Sequence, residues 1–431
     1  MNYRKQDEIS RRQFMLENAR RLLGVSVAPM LGASLATPSY GQQRSSNSKP
    51  AQSVIFLNMD GGMSHLDTFD IKEGNKRVNA IKTSLPGYKV ADYLPETAKV
   101  MHECAIINSM TSKVGAHPQG RYLLHKNYTP NGTIVHPSIG SWVSREAKRL
   151  NKDLPGYVAI NSGGGNKGGG WMGARYSAAV VTRADAGLKN VKRSGGVSER
   201  DFQERLMIAD KLNAKFHERH ASPEVTGYAQ LFDEAVKMMN SRDLMAFDVS
   251  QESKAMRESY GMTNFGQGCL LARRLVEVGV RYVEVTLSGW DTHADNFTGV
   301  KGRCIEFDRA YAQLLKDLRS KGLLDSTLVV VASEFGRGPV EAHNDGRSHH
   351  ASSFTTLMAG GGVNAGMVYG QTNSTGMRVE SDPMTIYDMN STIAYALGLD
   401  AHKVVKSPSK RPFRIAGPDK DNGKPHTQIF S

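Results

Sequence analysis

Five short apolar segments, each followed by a polar turn, are separated by longer stretches with the periodicity of amphipathic helices. This alternation predicts an α/β fold with a mostly parallel sheet, because parallel strands need long crossover connections. The first segment is almost wholly apolar, as expected of a strand buried on both faces. The five predicted strands cover residues 53–59, 105–107, 156–160, 282–287 and 327–332.

Helical patterns lie between these strands, with apolar residues three and four positions apart. Helices connecting parallel strands cover both faces of a sheet, so the predicted architecture is doubly wound. The stretch 198–260 interrupts the alternation, and we expect it to form a helical insertion on one side of the sheet. The predicted helices cover 139–150, 202–220, 223–240, 267–278, 305–318 and 384–397, and a late pair of strands covers 355–359 and 367–369.

The N-terminal 41 residues have the pattern of an export signal. A charged start containing Arg11 and Arg12 runs into an apolar stretch at 22–36, which ends in small residues. The paired arginines predict the twin-arginine route, with its translocase as a partner during export. The apolar stretch is shorter than the roughly 20 residues that span a bilayer. We therefore expect cleavage, no permanent transmembrane anchor and a periplasmic or extracellular bacterial protein.

The rest of the chain is expected to consist of a polar linker at 42–52 and one large domain at 53–431. The formal net charge is +13, and the signal holds six basic and three acidic residues, which leaves about +10. A basic protein favours anionic partners, such as a small-molecule ester or an anionic glycan. The sequence has no lysine- or arginine-rich run interleaved with aromatic residues, so nucleic acid is not an expected partner.

Two other sequence features do not match a known binding motif. The glycine-rich segment 162–173 lacks the Gly-Lys-Ser/Thr ending of a phosphate-binding loop. We expect a flexible loop on the substrate side, in which Trp171 supplies a stacking face. The three cysteines, Cys104, Cys269 and Cys304, lie far apart and permit at most one disulfide. Cys104 and Cys269 have apolar neighbours and are interpreted as buried hydrophobic residues.

Carboxylates and imidazoles follow several predicted strands, at the sheet edge where α/β proteins bind their ligands. This mixture favours zinc or manganese, and magnesium or calcium where oxygen ligands dominate. A single such residue is more often a turn residue than a ligand, but the whole set predicts a site for one or two divalent ions. The candidate metal ligands are Asp60, Asp291, His293, Glu334, His349 and His350.

Long motifs give the chain a more specific resemblance. The strings MDGGMSHLDTFD, HPSIGSWVSRE, GWDTHADNF, SEFGR and GRSHHASSFTTLMAGGGV resemble the bacterial family called domain of unknown function 1501. That family is grouped with the alkaline phosphatase superfamily of phosphatases, phosphodiesterases, phosphomutases and sulfatases. The resemblance implies an alkaline-phosphatase-like doubly wound sheet.

The resemblance also implies roles for individual residues. Asp60 matches the first-strand aspartate that binds a metal beside the nucleophile. Asp291 and His293 resemble the aspartate and histidine of the other metal site, and His349 or His350 resembles the histidine that completes it. Glu334 stands where the superfamily has the acidic member of an Asp-His pair, and the position of that pair's histidine is Phe335.

The nucleophile position departs from the superfamily pattern. His117, in HPQGRYLL, stands where sulfatases carry a cysteine and phosphatases a serine or threonine, so a formylglycine sulfatase is not expected. His117 is interpreted as a nucleophile, as a base, as a metal ligand or as a buried histidine of the core. Arg121 would bind an anionic oxygen or a surface carboxylate. Weaker nucleophile candidates are Ser109, Thr111 and Ser112.

Four further residues are interpreted as supporting the site. His65 and Asp67 follow the first ligand closely and are expected to be additional ligands or to orient the ligands. Arg337 and Arg347 would clamp a phosphate or sulfate group. The sequence thus predicts metal-dependent hydrolysis of an anionic ester. The alternative is a non-catalytic envelope or polysaccharide-binding protein that keeps the fold.

Overall fold

The computed structural model describes residues 49–163, 165–189, 191, 196–220, 223–341 and 343–430. The predicted export signal and most of the predicted linker lie outside these residues. Among the helices within them, none is long and apolar enough to cross a membrane.

Seventeen strands occur in the described part of the chain. They are β1 (Ser53–Asp60), β2 (Ala80–Lys82), β3 (Lys89–Ala91), β4 (Cys104–Thr111), β5 (Tyr157–Ile160), β6 (Ala179–Val181), β7 (Tyr282–Ser288), β8 (Thr327–Ala332), β9 (Gly336–Glu341), β10 (Gly346–His350), β11 (Phe354–Ala359), β12 (Val368–Tyr369), β13 (Gln371–Thr372), β14 (Val379–Ser381), β15 (Met384–Thr385), β16 (Val405–Lys406) and β17 (Pro412–Phe413).

The α-helices connect these strands and form the outer layers. They are α1 (Pro95–Ala98), α2 (His117–Lys126), α3 (Ile139–Glu146), α4 (Glu199–Arg219), α5 (Pro223–Asn240), α6 (Lys254–Ser259), α7 (Asn264–Glu277), α8 (Asn296–Ser320) and α9 (Ile386–Ala396).

A central sheet of nine strands has the order β12-β4-β11-β8-β1-β7-β5-β6, and β15 also pairs with β4. Strands β8, β1, β7, β5 and β6 are parallel to one another. Strand β11 is antiparallel to both of its neighbours. It follows β8 through the short hairpin β9–β10, which contains no crossover helix and so returns the chain in the opposite direction. The predicted α/β fold with a mostly parallel sheet is confirmed.

Helices cover both faces of this sheet, as predicted. Along β1, Ile55, Leu57 and Met59 face the layer that contains α7 and α8. The alternate residues Val54 and Phe56 face the layer that contains α2, α3 and α9. This alternation follows from the two-residue repeat of a strand, and it places the side chain of Asp60 on the α2 side.

All five predicted strands and the late strand pair are confirmed, with small shifts of their bounds. The predicted helix at 139–150 ends earlier, because Ala147 already has extended backbone geometry. The sequence analysis missed α2, which carries few apolar residues, and it missed the polar hairpin β9–β10. Both elements turn out to carry candidate site residues.

The predicted insertion contains the two long helices α4 and α5. Phe202, Leu206 and Phe232 form a small cluster between these helices. Met238, near the end of α5, joins the core on the α7 and α8 side of the sheet. The three cysteines are buried and free, which agrees with the interpretation of Cys104 and Cys269 as core residues.

Candidate functional site

The candidate site lies beyond the carboxyl ends of β1, β7 and β8. Asp60 ends β1 opposite Ser288 of β7. A Cβ atom on Gly61 would lie 2.7 Å from the backbone nitrogen of Asp291, and Gly61 has a φ of +118°. Glycine at this position therefore lets the turn after β1 pass close to the loop after β7. Glu334 is the second residue after the end of β8, so three strand exits meet at one edge.

Four side chains converge on this edge. His117, Asp291, His293 and His349 each place one ligand atom so that all four atoms lie within 4.8 Å of one another. Oδ1 of Asp291 is 3.0 Å from Nε2 of His117, 3.2 Å from Nε2 of His293 and 3.6 Å from Nε2 of His349. Three imidazoles thus surround one carboxylate oxygen.

Second hydrogen bonds orient two of these imidazoles. Nδ1 of His117 is 2.7 Å from Oε1 of the buried Glu334. Nδ1 of His349 is 2.7 Å from the carbonyl oxygen of Gly115. Since a carboxylate and a carbonyl accept hydrogen bonds, each Nδ1 carries the proton when the ring is neutral. The Nε2 lone pairs then face the group of four, as in metal-bound histidines.

A buried arginine stabilises the negative charge of Asp291. Arg337 is fully buried, and its Nη2 donates to Oδ1 of Asp291 over 2.6 Å. Burial raises the pKa of Asp291, but the hydrogen bond and the charge of Arg337, together with the nearby His117, outweigh burial and hold this pKa well below its usual range. Asp291 is therefore ionised, as a metal-binding carboxylate must be.

The pKa values of two of the imidazoles are shifted in opposite directions. The hydrogen bond to Glu334 raises the pKa of His117, whereas burial lowers the pKa of His349. Nε2 of His117 lies near Asp291 without the alignment of a hydrogen bond. Nε2 of His293 and Nε2 of His349 lie 2.9 Å apart, so the ligand atoms of the four residues enclose one small space. Three imidazole nitrogens and one carboxylate oxygen form a donor set that fits zinc or manganese.

Two predicted ligands lie beside this group rather than in it. Oδ1 of Asp60 is 2.6 Å from Nε of Arg121. Glu334 accepts hydrogen bonds from the backbone of Gly61 as well as from His117. Arg121 Nε is also 3.6 Å from Oε1 of Glu334, so both carboxylates face the guanidinium.

Of the two adjacent histidines in GRSHH, His349 joins the group and His350 does not. Successive residues of a strand point to opposite sides, so only one of them can face the ligand atoms. Nε2 of His350 is 2.9 Å from the carbonyl oxygen of Met377. His350 stacks with His65, which is fully buried, and burial lowers the pKa of His65 to about 4. Neither ring reaches the four ligand atoms.

The two arginines that were predicted to clamp a phosphate or sulfate group bond to other parts of the protein. Arg347 donates to both carboxylate oxygens of Asp67 and to the carbonyl of Gly338. Arg337 donates to backbone carbonyls and to Asp291, and both guanidinium groups are buried. Their hydrogen bonds go to the protein, so both side chains position the loops around the site.

The weaker nucleophile candidates are bonded elsewhere. The hydroxyl of Ser109 donates to the carbonyl of Asp382, that of Thr111 to Met384, and that of Ser112 to Val114. In the group of four, the nucleophilic side-chain atoms are those of His117, His293 and His349.

A buried ionic cluster beneath the site was missed by the sequence analysis. Glu284 lies inside β7, where Oε1 is 2.9 Å from Nε2 of His125 and 3.1 Å from Nζ of Lys167, and Tyr157 donates to Oε2. Lys167 belongs to the glycine-rich segment, so its ion pair with Glu284 links that segment to the sheet. Trp171 packs edge-on against Trp142. The sequence signal was a charged residue in the middle of the apolar strand YVEVTL.

A glycine of the hairpin gives a first prediction. A Cβ atom on Gly346 would lie 1.8 Å from the carbonyl oxygen of His293. We expect Gly346→Ala to displace the loop that carries His293, to cost about 1–3 kcal/mol of unfolding free energy and to weaken zinc binding. Urea unfolding and zinc titration measure both effects. Gly302→Ala is the control, since nothing lies within 4 Å of its added Cβ and it sits within α8. Equal stability of the two variants would contradict the expectation.

The sequence matches one family model over most of its length. Residues 51–424 match the model described as protein of unknown function, DUF1501. The chain belongs to this family. No curated protein matches the sequence significantly.

Solved structures to which the chain is similar include a lipoteichoic acid synthase, a sulfatase and an alkaline phosphatase. The lipoteichoic acid synthase LtaP from Listeria monocytogenes is 10% identical, with a TM-score of 0.38 over 94% of this chain and 81% of that one. The PsFucS1 sulfatase from Pseudoalteromonas sp. is 12% identical, with a TM-score of 0.39 over 89% and 72%. The alkaline phosphatase from the Antarctic bacterium TAB5 is 13% identical, with a TM-score of 0.35 over 82% and 100%. Likenesses this remote assign no activity to this family member.

Proposed function

We propose that this DUF1501 protein is a metal-dependent hydrolase of phosphate or sulfate esters. The observation that supports the proposal is the group His117, Asp291, His293 and His349, whose ligand atoms lie within 4.8 Å of one another. The tautomers of His117 and His349 are fixed by Glu334 and by the Gly115 carbonyl. Exposed acidic groups often approach one another without an ion, but they do not have imidazoles oriented in this way.

The protein residues would have distinct tasks in hydrolysis. A divalent ion, when bound, polarises an ester oxygen and makes a bound water more acidic. Arg337 holds Asp291 in place and Glu334 holds His117. Arg121 is partly exposed and lies one helical turn after His117, so its guanidinium can bind an ester oxygen as negative charge develops. His117 acts here as a ligand rather than as the nucleophile, because its Nε2 faces the other ligand atoms.

The location and partners belong to the same proposal. The twin-arginine pattern supports export of the folded, ion-loaded protein to the periplasm or beyond. The basic mature chain supports an anionic small molecule or glycan as substrate.

Two measurements on the full chain test the proposed function. Elemental analysis after incubation with zinc, manganese, magnesium or calcium should find stoichiometric zinc or manganese. A screen of aryl phosphates, phosphodiesters and aryl sulfates should then find hydrolysis that a chelator abolishes and the added ion restores. Absence of any bound ion would refute the metal-dependent function. A bound ion without turnover across the screen would favour the non-catalytic binding protein.

A further inference from the structure

The contacts of Arg121 bear on how many ions the site takes. Its Nε lies 2.6 Å from Oδ1 of Asp60 and 3.6 Å from Oε1 of Glu334. The Nε–H is not aligned with either oxygen as a hydrogen bond, so charge rather than directed bonding dominates the contact. The guanidinium therefore occupies the space between two carboxylates that face each other at the ends of β1 and β8.

These two carboxylates need a positive charge. Glu334 is completely buried, and its Oε1 accepts hydrogen bonds from Nδ1 of His117 and from the backbone N–H of Gly61. Two carboxylates close together at one edge favour a cation beside them, because like charges repel. Arg121 is a cation that both contact within 4 Å.

Helix α2 holds Arg121 close to the two carboxylates. His117 and Arg121 are four residues apart, so they lie on the same face of the helix. A Cβ atom on Gly120 would lie 3.2 Å from Cβ of Glu334 and 3.3 Å from the ring of Phe335. The absence of a side chain at Gly120 thus lets α2 lie directly against the Glu334–Phe335 segment and brings both functional side chains to the edge.

The same segment supplies no further imidazole. Phe335 packs its ring against His117 and His349, with centroids 4.8 and 4.7 Å away. Within the described residues, Asp60 and Glu334 are not part of a group of three or more potential ligand atoms. The space beside the four-residue group therefore has two carboxylates, a guanidinium and an apolar ring.

We propose that Arg121 takes the place of a second divalent ion, so that the site binds one ion and one guanidinium. This inference rests on the proposed function, because it concerns the same site. Glu334 connects the group of four ligand residues with Arg121. Its Oε1 accepts a hydrogen bond from His117 and also lies near the guanidinium. The guanidinium offsets part of the negative charge of Asp60 and Glu334 and remains exposed enough to contact an ester oxygen.

Removal of the guanidinium should open a second ion site. The wild-type chain is expected to bind one equivalent of zinc, measured by elemental analysis and by calorimetric titration. Arg121→Ser and Arg121→Gln should each bind two equivalents, because Asp60 and Glu334 then lack a cation. Arg121→Lys, which keeps the charge, should bind one. The double variant Asp60→Asn, Arg121→Ser should return to one.

The outcomes separate this inference from the proposed function. Two equivalents in the wild-type chain would overturn it, as would one equivalent in both neutral variants when each still unfolds cooperatively on heating. A wild-type chain that binds no ion would defeat the proposed function itself. The count of ions does not depend on knowing the substrate.

Discussion

Replacing Asp291 with alanine is expected to lower the affinity for zinc by about 100-fold or more. Asp291 is the carboxylate around which the three imidazoles are arranged, and even residues that only orient a ligand are worth about 10–100-fold. The substitution also leaves the buried Arg337 without its carboxylate partner. Zinc affinity by competition with a chromophoric chelator measures the effect, and ester hydrolysis should fall with it.

Histidine substitutions give the matched comparison for this prediction. His349→Ala should reduce zinc affinity to a similar extent as Asp291→Ala. His343→Ala is the control, because His343 belongs to the same β9–β10 connection but is exposed and lies outside the group of four. Unchanged affinity in both Asp291→Ala and His349→Ala would show that the ion binds elsewhere.

Replacing Glu284 with glutamine is expected to cost about 3–5 kcal/mol of unfolding free energy. Glu284 is buried with Lys167 and His125, and removal of one partner from a buried ionic cluster leaves the other charges uncompensated. Chemical denaturation measures the loss. Glu204→Gln is the control, because its pair with Arg200 is exposed and should change stability by less than about 1 kcal/mol. Similar stabilities of the two variants would contradict the role of the cluster.

The contribution of Glu284 to the free energy of unfolding should decrease as the pH falls. Burial raises the pKa of Glu284, but Lys167 and His125 outweigh burial and lower the pKa from 4.5 to about 2. A carboxylate with a lowered pKa stabilises the folded state above its unfolded pKa and loses that contribution as pH falls through the folded value. The stability difference between wild type and Glu284→Gln should therefore be largest above about pH 4.5 and should shrink toward pH 2. A difference that is constant over this range would exclude ionisation as its cause.

The sequence predicted the sheet well because its strands are short, apolar and bounded by turns. β8 matches its prediction of 327–332, and the missed elements are those with weak hydrophobic patterns. The antiparallel direction of β11 could not be predicted, because it depends on the hairpin that replaces a crossover helix. Sequence periodicity does not encode such a change of direction.

The candidate site was predicted in part. Asp291 and His293 were found because they follow a strand, and His349 could not be chosen over His350 without the register of β10. Whether Arg337 bonds to a substrate or to the backbone depends on burial, which a loop sequence does not reveal. The pairing of Asp60 with Arg121 depends on the close approach of α2, and only the three-dimensional packing shows it.

The four ligand residues come from three distant parts of the chain, at position 117, at 291 and 293, and at 349. No contiguous fragment holds the set, so the proposed ion site forms only when the β7 loop, α2 and the β9–β10 hairpin have docked. An ion that binds only the completed arrangement stabilises the native state over every partly folded intermediate. Ion release and loss of the docked hairpin would then be one event, and the time course of zinc release during unfolding would report on the last step of assembly.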